Sequence, residues 1–453
     1  MISRISLSII CTILMTLSPA AGASGSQDDE LAFRDIHWSP AGNRSNVIVS
    51  EPLNCSDGKD LLGICALHAQ NYSGENITIA IIDYQFYVDR LSERELSRKS
   101  IANFKEDFSE YERHGTACAE IISEIAPNAT LIMIKADPSL EGFKEAVDEL
   151  LSLDRRIDIV SCSLDYPYSL FAEGDYFCSD IRNLTKNGTF WINAAGDSAG
   201  MHWMGTFRDE DGDDFNEFDQ GDESLQVTLK RGIPFQVRLS WNDSWYRPSR
   251  DYDLYIFAPD GSYTISRNPQ NGYEGENPVE LAALVAPVLG NYSIKIKKYN
   301  ASPDNAAFHL FSSEDLLAHN IENSSLGALA SCPEVLTIGA VDTLTLKLEN
   351  YSSMGPTMDG RLKPDLVAPS NVTTSSYQPG RFAGSSASAP YAAGIFALAL
   401  EKGRKLGLSD AEIKRMLLED AIDLGPVGPD NGYGRGLINL HSFAELMEDI
   451  RYD

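Results

Sequence analysis

Six consecutive uncharged residues, Ile77-Thr78-Ile79-Ala80-Ile81-Ile82, five of them β-branched, set the first constraint on this fold. A strand with no polar face has nowhere to meet water, so it must be covered on both sides, as in a parallel sheet sandwiched between helices. The same texture recurs at Thr130-Leu131-Ile132-Met133-Ile134, Ile157-Asp158-Ile159-Val160, Phe190-Trp191-Ile192-Asn193 and Val335-Leu336-Thr337-Ile338-Gly339-Ala340-Val341. Helical patterns separate or follow these runs: His114 to Ile125, Leu140 to Leu153, an apolar helix from Ser386 to Leu400 and an amphipathic one near Asp410 to Glu419. This alternation predicts an α/β fold, a doubly wound parallel sheet.

The rhythm breaks once. After the acidic stretch Asp209-Glu210-Asp211-Gly212-Asp213-Asp214 come alternating segments such as Leu225-Gln226-Val227-Thr228-Leu229, Phe235-Gln236-Val237-Arg238-Leu239 and Tyr292-Ser293-Ile294-Lys295-Ile296. Period-two alternation with turn signals such as Pro259-Asp260-Gly261 describes half-buried antiparallel strands. Residues 201–320 are therefore expected to form an inserted antiparallel β-sandwich, splitting an α/β domain into 66–200 and 321–445. Residues 24–65 read as a short N-terminal extension.

The first residues read as an export signal, 1–23. Arg4 precedes an apolar run from Ile5 to Leu17, then the small-residue site Ala21-Gly22-Ala23. Cleavage there removes Cys11 and leaves six cysteines, an even number suited to an oxidising compartment. Cys55 and Cys65 are the best candidate pair and Cys162 with Cys178 a second, while Cys118 and Cys332 read as buried thiols. Thirteen N-x-S/T sequons (at Asn43, Asn54, Asn71, Asn76, Asn128, Asn183, Asn187, Asn242, Asn291, Asn300, Asn323, Asn350 and Asn371) fit a glycosylated surface. No second apolar span of about 20 residues follows, so a secreted, extracellular or cell-surface chain without a membrane span is expected. The net charge of −29 argues against nucleic-acid partners, which need Lys/Arg clusters.

Three dispersed segments carry the chemistry. Asp83 follows the first strand, and functional groups gather beyond the carboxyl ends of parallel strands. His114 opens a helix beside small Gly115 and Thr116. Ser386 stands in Gly384-Ser385-Ser386-Ala387-Ser388-Ala389-Pro390 at a helix N-terminus, where free N–H groups favour a developing oxyanion. Each alone is ordinary: a turn carboxylate, a structural histidine, an N-cap. Together they supply an acid, a general base and a nucleophile.

In these segments, and in Gly432-Tyr433-Gly434-Arg435-Gly436-Leu437-Ile438-Asn439, the chain resembles the subtilisin-like serine peptidases over about 70–200 and 321–445. The order Asp…His…Ser is theirs, and the 31 residues from Asp83 to His114 match the roughly 32 of subtilisin. The resemblance implies an endopeptidase acting on protein or peptide substrates, with no cofactor required for the chemistry. It further implies that Ser161 to Leu164, Ser163 and Leu164 included, pair with extended substrate, and that Ala194, Ala195 and Gly196 line the specificity pocket.

Some positions depart from the family pattern. Asp197 replaces the Asn that donates to the oxyanion, a donor whose removal from subtilisin costs about 10²–10³ in rate. An ionised Asp197 repels an oxyanion and a protonated one donates to it, so activity is expected to rise toward acidic pH until His114 protonates. Asp165 stands where glycine is usual at the pocket rim, and reads either as a selector of basic side chains or as an exposed carboxylate. Tyr84-Gln85 replaces small residues beside Asp83. Asp209, Asp211 and Asp213 have alternate-carboxylate spacing suited to a structural Ca²⁺, without the glycine at the sixth position. The competing reading is a catalytically weak or inert surface protein whose β-sandwich binds a glycan or protein.

Overall fold

The computed structural model describes residues 58–446 except 85, 87–100, 104–112, 138, 168–174, 304 and 378. The expected signal at 1–23, most of the extension at 24–65, Gln85 and Cys55 lie outside the described residues.

Strands β1 (Thr78–Asp83), β2 (Ile101–Asn103), β3 (Thr130–Lys135), β4 (Ile159–Cys162) and β5 (Phe190–Ala194) belong to one parallel sheet. Eight further strands intervene before β14 (Val335–Asp342) and β15 (Leu366–Ser370) complete it, in the order β15-β14-β5-β4-β1-β3-β2. β1 is buried at every position, and its side chains divide between two cores. Ile79 and Ile81 pack with the short helix α1 (Ile64–Ala69), helix α2 (His114–Ile125) and helix α5 (Ser385–Lys405). Ala80 and Ile82 pack on the opposite face with α3 (Leu140–Ser152) and α4 (Asp175–Thr185). The uninterrupted apolar run is thus the signature of a strand covered twice.

Helix α5 runs through the core one turn further than the sequence pattern implies, ending in Lys402, Arg404 and Lys405 at the negative end of its dipole. Its small residues admit α2 closely: a Cβ on Gly394 would lie 2.7 Å from Cβ of Ile125. Glu401 is buried because its Oε2 accepts the N–H groups of Ser73, Gly74 and Glu75 at 2.8, 2.7 and 3.1 Å. No helix among the described residues is long and apolar enough to cross a membrane.

Between β5 and β14, strands β6 (His202–Thr206) to β13 (Ala307–Ser312) form two antiparallel four-stranded sheets. One has the order β10-β9-β12-β7, made from Tyr263–Ser266, Asp251–Phe257, Gly290–Asn300 and Leu225–Leu229. The other is β11-β8-β13-β6, with β11 at Val279–Val285 and β8 at Pro234–Trp241. The alternation of β7, buried at Leu225, Val227 and Leu229 and exposed between, explains why these strands build a sandwich rather than extend the parallel sheet. Trp241, Tyr252, Phe235 and Phe308 fill its core.

The cysteine pairing corrects the expectation. Cys178 on α4 is bonded to Cys332, with Cα atoms 5.5 Å apart, while Cys162 on β4 is a buried free thiol. Sequence proximity favoured Cys162 with Cys178, but the helix turns Cys178 toward the segment entering β14. The bond closes a loop of 154 residues that contains the whole β-sandwich, worth about 5 kcal/mol in the chain-entropy account. Cys65 is also disulfide-bonded, and Cys118 is a buried thiol as expected.

Candidate active site

Asp83 ends β1 with no exposed surface. Its Oδ2 and Oδ1 lie 2.8 and 2.9 Å from Nδ1 of His114, and Oδ1 also accepts the N–H of Tyr84 at 2.8 Å. A carboxylate at Nδ1 fixes the tautomer: Nδ1 carries the proton and donates, leaving the lone pair on Nε2. The ring is held on its side by Phe382, edge to face at 5.2 Å. One helical turn on, Cys118 Sγ lies 3.7 Å from Oδ2 of Asp83, 3.5 Å from Oγ of Ser163 and 3.5 Å from the main-chain oxygen of Ser386. Burial, and then the charge of Asp83, push this thiol well above its usual range, so it is a neutral spacer.

Ser386 sits in the first turn of α5, half-buried among fully buried neighbours. Gly384 before it has φ of +115°, a conformation side-chain-bearing residues rarely adopt. Its N–H donates to Ser370 Oγ at 3.0 Å and Tyr351 Oη at 3.2 Å, and Ser385 Oγ accepts the N–H of Gly196 at 3.0 Å. Ser386 Oγ donates to the oxygen of Ser163 at 3.4 Å, and Ser163 Oγ donates back to the oxygen of Ser386 at 3.0 Å. The segment after β4 and the helix start are therefore locked together, with Asp83, His114 and Ser386 converging around Cys118.

Asp197 follows β5 through Gly196, whose φ is +100°. Its Oδ1 accepts the N–H of Ser385 at 2.8 Å, and a Cβ on Gly384 would stand 2.6 Å from its Oδ2. The carboxylate thus faces the helix N-terminus beside Ser386. Ser163, Asp165 and Gly196 line a pocket that opens at Ser386 and Asp197. Leu164 and Ala195, expected to serve substrate, turn their side chains into the core and have only main-chain groups to offer. Asp165 is not an exposed rim carboxylate: a Cβ on Gly327 or Gly196 would meet its oxygens at 1.6 or 2.6 Å, so it is tucked between two glycines. Burial, then the charge of Asp197, push it up to about 7.

Two features escaped the sequence reading. The inserted sandwich closes one side of the pocket with Gln236 and Arg238 of β8 and Phe311 of β13. Tyr351 and Ser370 brace the turn at Gly384 that leads into Ser386. Neither group has a local sequence signal, because both arrive from distant strands and loops.

Away from the pocket, the carboxylates of Asp209, Asp211 and Asp213 gather so that one oxygen of each lies within 4.8 Å of the others. These hard oxygen donors fit Ca²⁺. Lys298 already stands beside them, its Nζ 3.7 Å from Asp209 and 3.1 Å from Asp214, and supplies part of the charge a cation would bring.

A parallel sheet with an acid at the end of β1, and a serine at the N-terminus of the buried helix, is the arrangement of the subtilisin-like peptidase class. Residues 286–436 match the model of the subtilase family. It is 30% identical over 132 residues to bacillopeptidase F of Bacillus subtilis (strain 168), a match covering 28% of this chain and 9% of that relative. The Clostridium perfringens CspB protease shares the fold at a TM-score of 0.59 and 18% identity, over 85% of this chain and 98% of that one. The prenylagaramide maturation protease PagA aligns over 83% of this chain and 96% of its own at a TM-score of 0.47 and 14% identity.

Proposed function

We propose that this chain is a secreted serine endopeptidase in which Ser386 attacks the peptide carbonyl, His114 transfers the proton and Asp83 orients His114. The observation that carries the reading is the buried Asp83 carboxylate set on Nδ1 of His114 at 2.8 and 2.9 Å, which directs the basic nitrogen away from the acid. In the first step the Ser386 oxygen bonds to the substrate carbonyl carbon while its proton passes to Nε2. The imidazolium then gives that proton to the leaving amine, and water repeats the sequence on the acyl-enzyme. The N–H groups at the start of α5 stabilise the oxyanion. No cofactor enters the chemistry; calcium at Asp209, Asp211 and Asp213 is a proposal of structural consequence only.

Export is supported by the surface. Eleven sequons fall among the described residues; ten of their asparagines are exposed and Asn371 is half-buried, as acceptor sites require. The Cys178–Cys332 bond fits the same compartment.

The test is hydrolysis of an unfolded protein by the purified chain and by Ser386→Ala. Cleavage at internal peptide bonds, lost in the variant, is the expected result. Equal cleavage by both, or none by either, contradicts the reading. The second reading, an inert surface protein, has Asp197 in its favour, because its carboxylate takes a helix N-terminal N–H beside the nucleophile.

A further inference from the structure

We propose that the pocket beside Ser386 selects a basic side chain on the carbonyl side of the cleaved bond, with Asp165 as the selecting group and Arg238 of the inserted domain setting its charge balance. This deepens the peptidase reading and rests on Ser386 being the nucleophile.

Asp165 follows Ser163 and Leu164 in the segment that runs alongside the nucleophile turn, so a group there faces the side chain of a substrate seated on Ser386. Space for its carboxylate is built in: Gly327 and Gly196 are the two positions where any side chain would overlap it. Its Oδ1 is buried without a hydrogen-bond partner, a costly state for an acceptor that a ligand donor can relieve. The pocket also holds Asp197, and Arg238, buried on β8, is its one cation among the described residues. With both carboxylates ionised the pocket carries one excess negative charge. A lysine or arginine side chain neutralises it, an acidic one doubles it, and an apolar one leaves Asp165 unpaired.

The groups facing Asp165 also give this selection a pH dependence. Burial, then the charge of Asp197, raise it to about 7, while the Tyr166 N–H and Arg238 pull the other way; Tyr84 and Cys162, both pushed up by burial, face it as neutral groups. A bound cation favours the ionised form, so the preference for basic substrates grows as pH rises through neutrality.

The experiment uses the full chain and five peptides differing only in the residue before the cleaved bond: Arg, Lys, Ala, Phe or Glu. Arg and Lys are expected to exceed Ala and Phe at least ten-fold in kcat/KM, with Glu lowest. Asp165→Asn should lower the Arg/Ala ratio at least ten-fold, and Arg238→Gln, which removes the competing cation, should raise it. Binding of benzamidine, read by calorimetry, needs no turnover and should weaken at least ten-fold in Asp165→Asn whose near-UV dichroism is unchanged. A protein that reacts with a fluorophosphonate at Ser386 but shows no basic preference overturns this inference and leaves the peptidase reading standing. No reaction at Ser386 overturns both.

Discussion

The sulfur of Cys118 lies 3.5 Å from the main-chain oxygen of Ser386, on the same helix that begins with His114. Its volume therefore sets how closely the acid–base pair and the nucleophile turn approach. Cys118→Leu should overpack this junction, costing about 1–3 kcal/mol of stability and at least ten-fold in kcat. Cys118→Ala should keep more activity than Cys118→Leu. Urea unfolding and peptide hydrolysis, measured on the same samples, check both. Because the thiol is buried and neutral, iodoacetamide should leave it unmodified in the native chain.

In the proposed mechanism Asp83 fixes the tautomer of His114 rather than moving a proton itself. Asp83→Asn replaces an acceptor facing Nδ1 with a group that also presents N–H, and should lower kcat by about 10⁴ with little change in KM. Steady-state kinetics decide this; a loss below ten-fold contradicts the role given to Asp83.

Asp197→Asn keeps an oxygen for the Ser385 N–H and adds an amide donor toward the oxyanion. It should raise kcat at neutral pH, by about ten-fold or more given the cost of removing such a donor, and flatten the acidic rise expected of wild type. A pH–rate profile from 4 to 9 for both proteins tests this. A lower kcat in the variant at every pH contradicts it.

The placement of the three candidate residues was legible because each rests on local pattern: a fully apolar strand ending in Asp83, a helix opening at His114, a glycine before Ser385 and Ser386. What was not legible arises between elements. Arg238 alternates along β8 like any strand residue, and only the placement of the sandwich puts it in the pocket. Asp165 could be read as exposed because the glycine that accommodates it, Gly327, lies far along the chain. Leu164 and Ala195 were given to substrate by resemblance, and their buried side chains leave main-chain groups to serve that role. Cys178 was paired by proximity, but its helix faces Cys332.

His202 and His309 form a buried pair in the sandwich, His202 Nε2 lying 3.0 Å from His309 Nδ1 and its other nitrogen 2.7 Å from the oxygen of Ile321. Burial pushes His202 down to about 4 from 6.5, and burial with the charge of His202 pushes His309 well below its usual value. Both are neutral in the fold, and the unfolded chain binds more protons below pH 6.5. Stability is therefore full above that pH and falls as pH drops toward 4, by about 3 kcal/mol for His202 alone. Thermal unfolding between pH 7 and 4 should show this decline, smaller in His309→Gln after allowance for its own destabilisation at pH 7. An equal slope in the variant contradicts the assignment.

The most direct measurement is the site of fluorophosphonate attachment, read by mass spectrometry on the purified full chain. One adduct on Ser386, absent from Ser386→Ala and slowed strongly in His114→Ala, is the result this account predicts. An unmodified Ser386 peptide, or labelling that ignores the loss of His114, would contradict it.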